Sequence, residues 1–200
     1  MQKRNVAPKA KPLHIFIVAE QFRLADKLAT LAPQMGDTYI EFEFARGLYI
    51  KQASIVCAAL SLGFYFKCLI RIGYKSYRRI HFLDELFELM AQNHRAAIKR
   101  YFRANIHITR EYFERQYPDR RLSDAKLFNF CLRGNRDAFH AMRYVYEEGM
   151  IEEDTGWIGG DVMVEAARTR ILEIHPEWEG VQQSYPWAET SFRQPIYPNH

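Results

Sequence analysis

Residues 52–66, QASIVCAALSLGFYF, run for fifteen positions without a charged side chain. Lys51 closes the run on one side, and Lys67, Arg71, Lys75, Arg78 and Arg79 follow on the other. The medium around this stretch decides the fold. As a helix it rises about 22 Å at ~1.5 Å per residue, short of the ~30 Å of a hydrocarbon core. Widened to 48–70 it reaches about 34 Å at the same rise. Lys51 and Lys67 then lie just inside the ends, where a four-carbon stem can stay in apolar surroundings while its ammonium reaches water. Tyr49, Tyr65 and Tyr74 stand where an aromatic belt would place them. Ala53, Cys57 and Ser61 repeat every four residues with Ser54 and Ala58 beside them, a small-residue stripe that lets another helix approach closely in a bilayer or in water. Few soluble helices are apolar on all faces, so the run reads as one short transmembrane helix. The competing reading is a buried helix of a soluble bundle, the usual outcome for shorter apolar runs.

Two hundred residues suffice for one domain, or one domain with an appendage. At 48% hydrophobic and 14% aromatic the chain has material for a core and no signature of global disorder. Cys57, Cys68 and Cys131 form no CxxC pair and leave an odd thiol, which argues against a disulfide framework or a zinc site and for a reducing compartment. The net charge of +4 is unevenly spread. Residues 1–66 carry 8 basic and 5 acidic side chains, residues 67–136 carry 16 and 7, and residues 137–200 carry 4 and 12. The middle is a basic block and the end an acidic one.

The amino terminus, MQKRNVAPKAKP, is basic and contains prolines. LHIFIVA after it is too short for a signal-peptide core, and Glu20 ends it without a small-x-small cleavage site. Ile17, Leu24, Leu28 and Leu31 suit a helix over 13–31, punctuated by Pro33 and Gly36. TYIEFEFARG then alternates, with Ile40, Phe42 and Phe44 against Glu41 and Glu43, and predicts a short strand or an extended lead-in before Gly47. Over 80–116 apolar residues fall at helical spacing, giving one long helix or two helices broken near Asn93 or Asn105. Pro118 stops that pattern, Ser123 caps a helix running to Gly134, Asn135 restarts another to Gly149, and Asp161 caps a last one that ends before Pro176. Trp157, in the loop EEDTGWIGGD, is expected to fold back on the core. The tail HPEWEGVQQSYPWAETSFRQPIYPNH has no periodicity. Trp178, Tyr185, Trp187 and Phe192 make it a candidate partner-binding segment, either docked on the body or free.

The chain is thereby expected to be mainly α. An N-terminal arm (1–47) with a short helix and a possible strand precedes the apolar helix and basic collar (48–79). A helical domain (80–175) and an extended aromatic and proline tail (176–200) follow. The apolar anchor, the collar YKSYRR, the helix HFLDELFELMAQNHRAAIKRYF and the later FHAMRYVYEEGMIEED together resemble a group of small bacterial membrane-anchored helical proteins of unknown function. That resemblance spans roughly 50–175 and rests on spacing and hydrophobic pattern. It implies a membrane helix with a compact helical cytoplasmic domain, and no activity.

The candidate chemistry is thin. His107 and Glu111 stand at i, i+4 with Glu114 nearby, a spacing that can hold a metal on one helix face, but no HExxH or ExxH accompanies them. His94 and His140 read as structural, and Glu85 and Glu88 as solvated surface charge. GWIGG lacks the strand and the spacing that phosphate binding needs, and no nucleophile elbow, Walker loop or kinase signature is present. No enzyme, cofactor or metal is indicated. Arg95, Lys99 and Arg103 share one helix face within the basic stretch 95–110, with Arg100, Arg110, Tyr101, Phe102 and Tyr112 interleaved, the pattern of a nucleic-acid contact surface. The acidic last third could neutralise those cations within the fold.

The leading expectation is a non-enzymatic, single-pass scaffold or assembly subunit that binds other protein subunits. Ala53, Ser54, Cys57, Ala58 and Ser61 pack the membrane helix, and Lys67, Arg71, Lys75, Arg78 and Arg79 form a collar for anionic headgroups. The charge bias places everything after Ile70 in the cytoplasm, at a bacterial inner membrane. The alternative is a soluble helical nucleic-acid-binding or regulatory protein that uses the basic helix.

Overall fold

The computed structural model describes residues 11–31, 40–73, 80–138 and 157–181, with side chains in 11–27, 53–73, 80–138 and 157–181. Within them the chain is all-helical. Seven α-helices follow in order: α1 (Pro12–Leu31), α2 (Ile40–Ile72), α3 (Leu83–Leu89), α4 (Gln92–Ala104), α5 (Ile106–Gln116), α6 (Asp124–Gly134) and α7 (Gly160–Ile174). A 3₁₀ turn, Pro176–Trp178, closes the described chain.

The alternating stretch at Ile40, Phe42 and Phe44 is not a strand: it is the first turns of α2, which continues without a break for 33 residues. Five alternating positions are few, glutamate and alanine are good helix formers, and a lone strand would leave its backbone groups unpaired. The helix therefore propagates backward from the apolar run. It also passes unbroken through positions 47 and 48, where the sequence reading divides arm from anchor.

Pro12 starts α1, where its missing N–H costs nothing. The helix then runs antiparallel to α2. The Cys68 thiol donates to the Pro12 carbonyl at 3.3 Å, the rings of Phe16 and Tyr65 meet at 5.9 Å, and the Ser54 hydroxyl donates to Asp26. α1 packs along α2, and of the small-residue stripe Ser54 meets it at Asp26. Ala58 and Ser61 are buried, Ser54 and Cys57 half-buried, and Ala53 exposed.

The pattern over 80–116 resolves into three helices. α3 ends where Met90 and Ala91 take extended conformations, and the Asn93 side chain accepts from the His94 N–H at 3.0 Å. Asn105 separates α4 from α5, its side-chain amide donating to the Tyr101 carbonyl at 3.0 Å. Both suggested breaks are used, the first two or three residues early. Arg110 reaches from α5 to the Leu122 carbonyl and to Asp124, which fixes the loop around Pro118. Ser123 is the N-cap residue of α6, without a side-chain capping bond. The helix expected from Asn135 to Gly149 lies mostly outside the described residues. Asn135 itself is buried and donates to the Ile158 carbonyl at 3.0 Å.

One core gathers these elements. Leu62, Phe66 and Leu69 of α2 join Leu86 and Phe87 of α3, Ile98 and Phe102 of α4, Phe113 of α5, Phe128 of α6 and Met163 and Ile171 of α7. Each such side chain, fully withdrawn from water, contributes ~1.5–3 kcal/mol. α2 lies against α1, α3 and α7, and α7 against α4.

Candidate functional site

The middle of the α1–α2–α7 interface is polar. Glu20, on α1, is 2% exposed. It accepts hydrogen bonds from the Tyr65 hydroxyl on α2, from Arg168 Nε on α7 at 2.8 Å, and from Arg23 one turn along α1 at 3.3 Å. Arg23 also reaches Glu165 at 3.3 Å. Burial by itself would raise the Glu20 pKa. The Tyr65 and Arg168 hydrogen bonds, with the charges of Arg168 and Arg23, outweigh it and hold the carboxyl below its usual value. Burial and the adjacent Glu20 push the Tyr65 hydroxyl well above its ordinary range. Glu20 is therefore a carboxylate at neutral pH, and it ties α1 and α7 to the centre of the apolar helix. Tyr65, at an aromatic-belt position by sequence, has no exposed surface.

Two turns further along α1 a cavity of about 380 Å³ opens between α1, α2, α5 and α7. Asp26, Ser54, Thr109, Tyr112, Trp157 and Asp161 supply its polar and aromatic lining. The Trp157 indole donates to Asp161 at 2.7 Å, so the loop tryptophan does fold back, partly buried against the core. Two glycines make that possible. Gly159 has φ +67°, and a Cβ there would come within 2.9 Å of Thr109 and 3.1 Å of Cys131. A Cβ on Gly160 would come within 2.1 Å of the Trp157 ring. Asp161 is thus not the capping residue of α7; Gly159 is. Burial raises the pKa of Asp26.

The basic residues of α4 divide into spent and available cations. Arg95 is paired with Glu88. Lys99 lies over the rings of Phe87 and Phe128, at 5.5 and 5.6 Å from their centroids. Arg100 and Arg103 are exposed. Phe102 is in the core and Tyr101 packs against it, so neither offers a stacking platform. Lys99 and Arg103 line a narrow groove with Asp124 and Asn129 of α6, and Lys99, Asn129 and Arg133 line a broader one that also carries Asp84, Glu85 and Glu88. Glu85 is bound by Arg136 at 2.9 Å.

Of the collar, Lys67 lies over the Phe64 ring at 5.2 Å and Arg71 is in the last turn of α2; Lys75, Arg78 and Arg79 lie outside the described residues. Trp178 is docked, 5.6 Å from the Phe16 ring and stacked on His175 at 4.0 Å. Tyr185, Trp187 and Phe192 lie outside the described residues. His107 and Glu111 are exposed on α5, and among the described residues no three metal-binding side chains converge. His94 is buried and accepts from Arg170 Nε at 3.2 Å; burial and that guanidinium hold it below its ordinary pKa. His140 lies outside the described residues.

Glu20, Arg168, Asp26 and Thr109 had no place in the site read from the sequence. The one local hint is Glu20 itself, a carboxylate interrupting an otherwise apolar helical stretch. No family model matches the chain, and no curated protein or solved structure is significantly similar to it.

Proposed function

We propose that this protein works in the aqueous phase, without a reaction of its own, as a helical binding protein acting through contacts with other macromolecules, and that α2 is its core helix. The observation that carries this reading is the Glu20 lock. The stretch Ala53–Ile72 is long and apolar enough to cross a membrane, yet 56% of its apolar window is buried inside the fold. What covers it includes an ionised carboxylate and two guanidinium groups. Charges at that depth beside a spanning helix would be costly in hydrocarbon, whereas at a helix interface in water they add register and partner choice. A membrane tether, as the sequence pattern suggested, is the competing proposal. Carbonate extraction of the expressed chain separates them: release into the supernatant is expected, and retention in the membrane pellet overturns the aqueous reading.

One observation favours a second reading of the partner. Lys99 and Arg103 on α4 and Arg133 on α6 line adjoining grooves, and Lys126 stands at helical spacing on the side of Asn129 and Arg133. Such a face suits the phosphates of a nucleic acid. Titration with a labelled single strand and a duplex at stepped salt tests it. Affinity that falls with salt and weakens on Arg103→Ala and Arg133→Ala supports the reading, and no association at low salt removes it.

A further inference from the structure

We infer that His94 and Arg170 form a proton-operated latch, which holds the end of α7 on α4 at neutral pH and lets go in mild acid. His94 stands in the first turn of α4, is 4% exposed, and its Nδ1 accepts from Arg170 Nε at 3.2 Å. A guanidinium has donors only and stays charged, so this contact needs the Nδ1 lone pair and a neutral ring with its proton on Nε2. A proton on Nδ1 removes the acceptor and sets two cations against each other in a buried interface. No rearrangement within the pair restores the bond, because neither group then has an acceptor to offer.

The surroundings work against a second positive charge there. From α7, Arg170 meets the ring and also holds Glu173 at 2.8 Å, while Arg168 is bound to Glu20 and Glu165 pairs with Arg23. From α3, Glu88 is taken by Arg95. The end of α2, beside Ala91 at the start of α4, carries a further cation, Arg71. α6 meets α4 beyond this turn, at Lys99 and Phe102, and α5 joins it at Asn105. The first turn of α4 adds the positive end of its own helix dipole. The His94 pKa is lowered by folding, so the contribution of the contact is present above the unfolded value of 6.5 and is lost as pH falls from there through the folded value. Glu20 stays ionised through that window, its own pKa being held below 4.5. Arg168 therefore remains bound while Arg170 is released, and the opening is confined to the last turn of α7, where it uncovers the buried Ile171.

Nuclear magnetic resonance of the full chain reads the latch through the Arg170 Nε–H signal, the His94 ring and the exchange of amides 171–174, corrected for the intrinsic effect of pH. Between about pH 7.5 and about pH 5.5 the Nε–H should lose its protection, and the amides should exchange up to about tenfold faster, the most that one pH unit below 6.5 can supply. Both changes should share the midpoint of the His94 ring. His94→Gln, which keeps a neutral acceptor for Arg170, should abolish the step. His175→Gln should leave it in place, which separates the latch from the histidine stacked on Trp178. Exchange that does not change across this window in the wild-type chain overturns the latch, and that comparison needs no variant. A step that persists in His94→Gln overturns it as well, as does a His94 ring that titrates while the Arg170 Nε–H stays protected. None of these readouts depends on what the protein binds.

Discussion

Replacing Glu20 by glutamine keeps the volume of the side chain and removes its charge, so it isolates what the buried carboxylate does. Among the described residues Arg168 pairs with Glu20 alone, while Arg23 retains Glu165. Removing one partner of a buried ion pair costs ~3–5 kcal/mol, because the other charge is left uncompensated. Here the two arginine side chains are 14% and 17% exposed and recover some hydration, and the Tyr65 hydroxyl can still donate to the new amide oxygen. The expected loss is therefore about 2–3 kcal/mol, or a fall in Tm of about 5–10 °C for a chain of this size. Tyr65→Phe, which removes one donor to a charged acceptor, should cost less, about 1.5–2 kcal/mol. Urea unfolding followed by far-ultraviolet circular dichroism measures both. The pH dependence gives a second readout. The Glu20 pKa is lowered in the folded state, so its contribution is fully present above the unfolded value near 4.5 and fades as pH falls through the folded value. The wild-type chain should thus lose stability on acidification below about pH 4.5 more steeply than Glu20→Gln. A variant within about 0.5 kcal/mol of wild type, with the same acid limb, would refute the lock.

The cavity carboxylate Asp26 carries the opposite sign. The pKa of Asp26 is raised on folding, so Asp26→Asn should stabilise the protein near neutral pH, and that gain should vanish below the unfolded value of 3.8, where both states are protonated; unfolding at the two pH values tests this. Gly160→Ala should displace the Trp157 ring and break its bond to Asp161, costing about 1–3 kcal/mol by overpacking and altering tryptophan fluorescence. Phe16→Ala should cost about 3–5 kcal/mol, since its ring touches both Tyr65 of α2 and the docked Trp178. In contrast, Arg115→Ala, which removes an exposed pair with Glu111, should change stability by less than about 0.5 kcal/mol; thermal melts compare the two.

What could be read from the sequence is what repeats locally. The core faces of α4, α6 and α7 recur at helical spacing, and Phe102, Leu127, Phe128, Ala167 and Ile171 are buried as that spacing requires. Asn105 and Pro118 mark real boundaries because each acts on its own neighbourhood. Ile40–Phe44 misled because a few alternating positions outweigh helix propensity only when a partner strand exists. The character of α2 could not be read from its composition, since the deciding groups come from elsewhere: Tyr65 meets Glu20 across 45 positions, and Arg168 meets it across 148. The same holds for the cavity, whose Asp26, Ser54, Thr109 and Asp161 sit on four different helices. No local spacing relates them, and only the antiparallel α1–α2 pairing and the closure of α7 bring them to one space.

Hydrogen exchange at the amides of residues 58–70, in buffer free of detergent and lipid, probes most directly whether the chain's own helices are the solvent of α2. These amides should be protected to the full unfolding free energy, with vesicles adding nothing, and Glu20→Gln should lower their protection by the same 2–3 kcal/mol, roughly, that it removes from global stability. Exchange within minutes in plain buffer, with protection appearing only when lipid is supplied, would contradict the account.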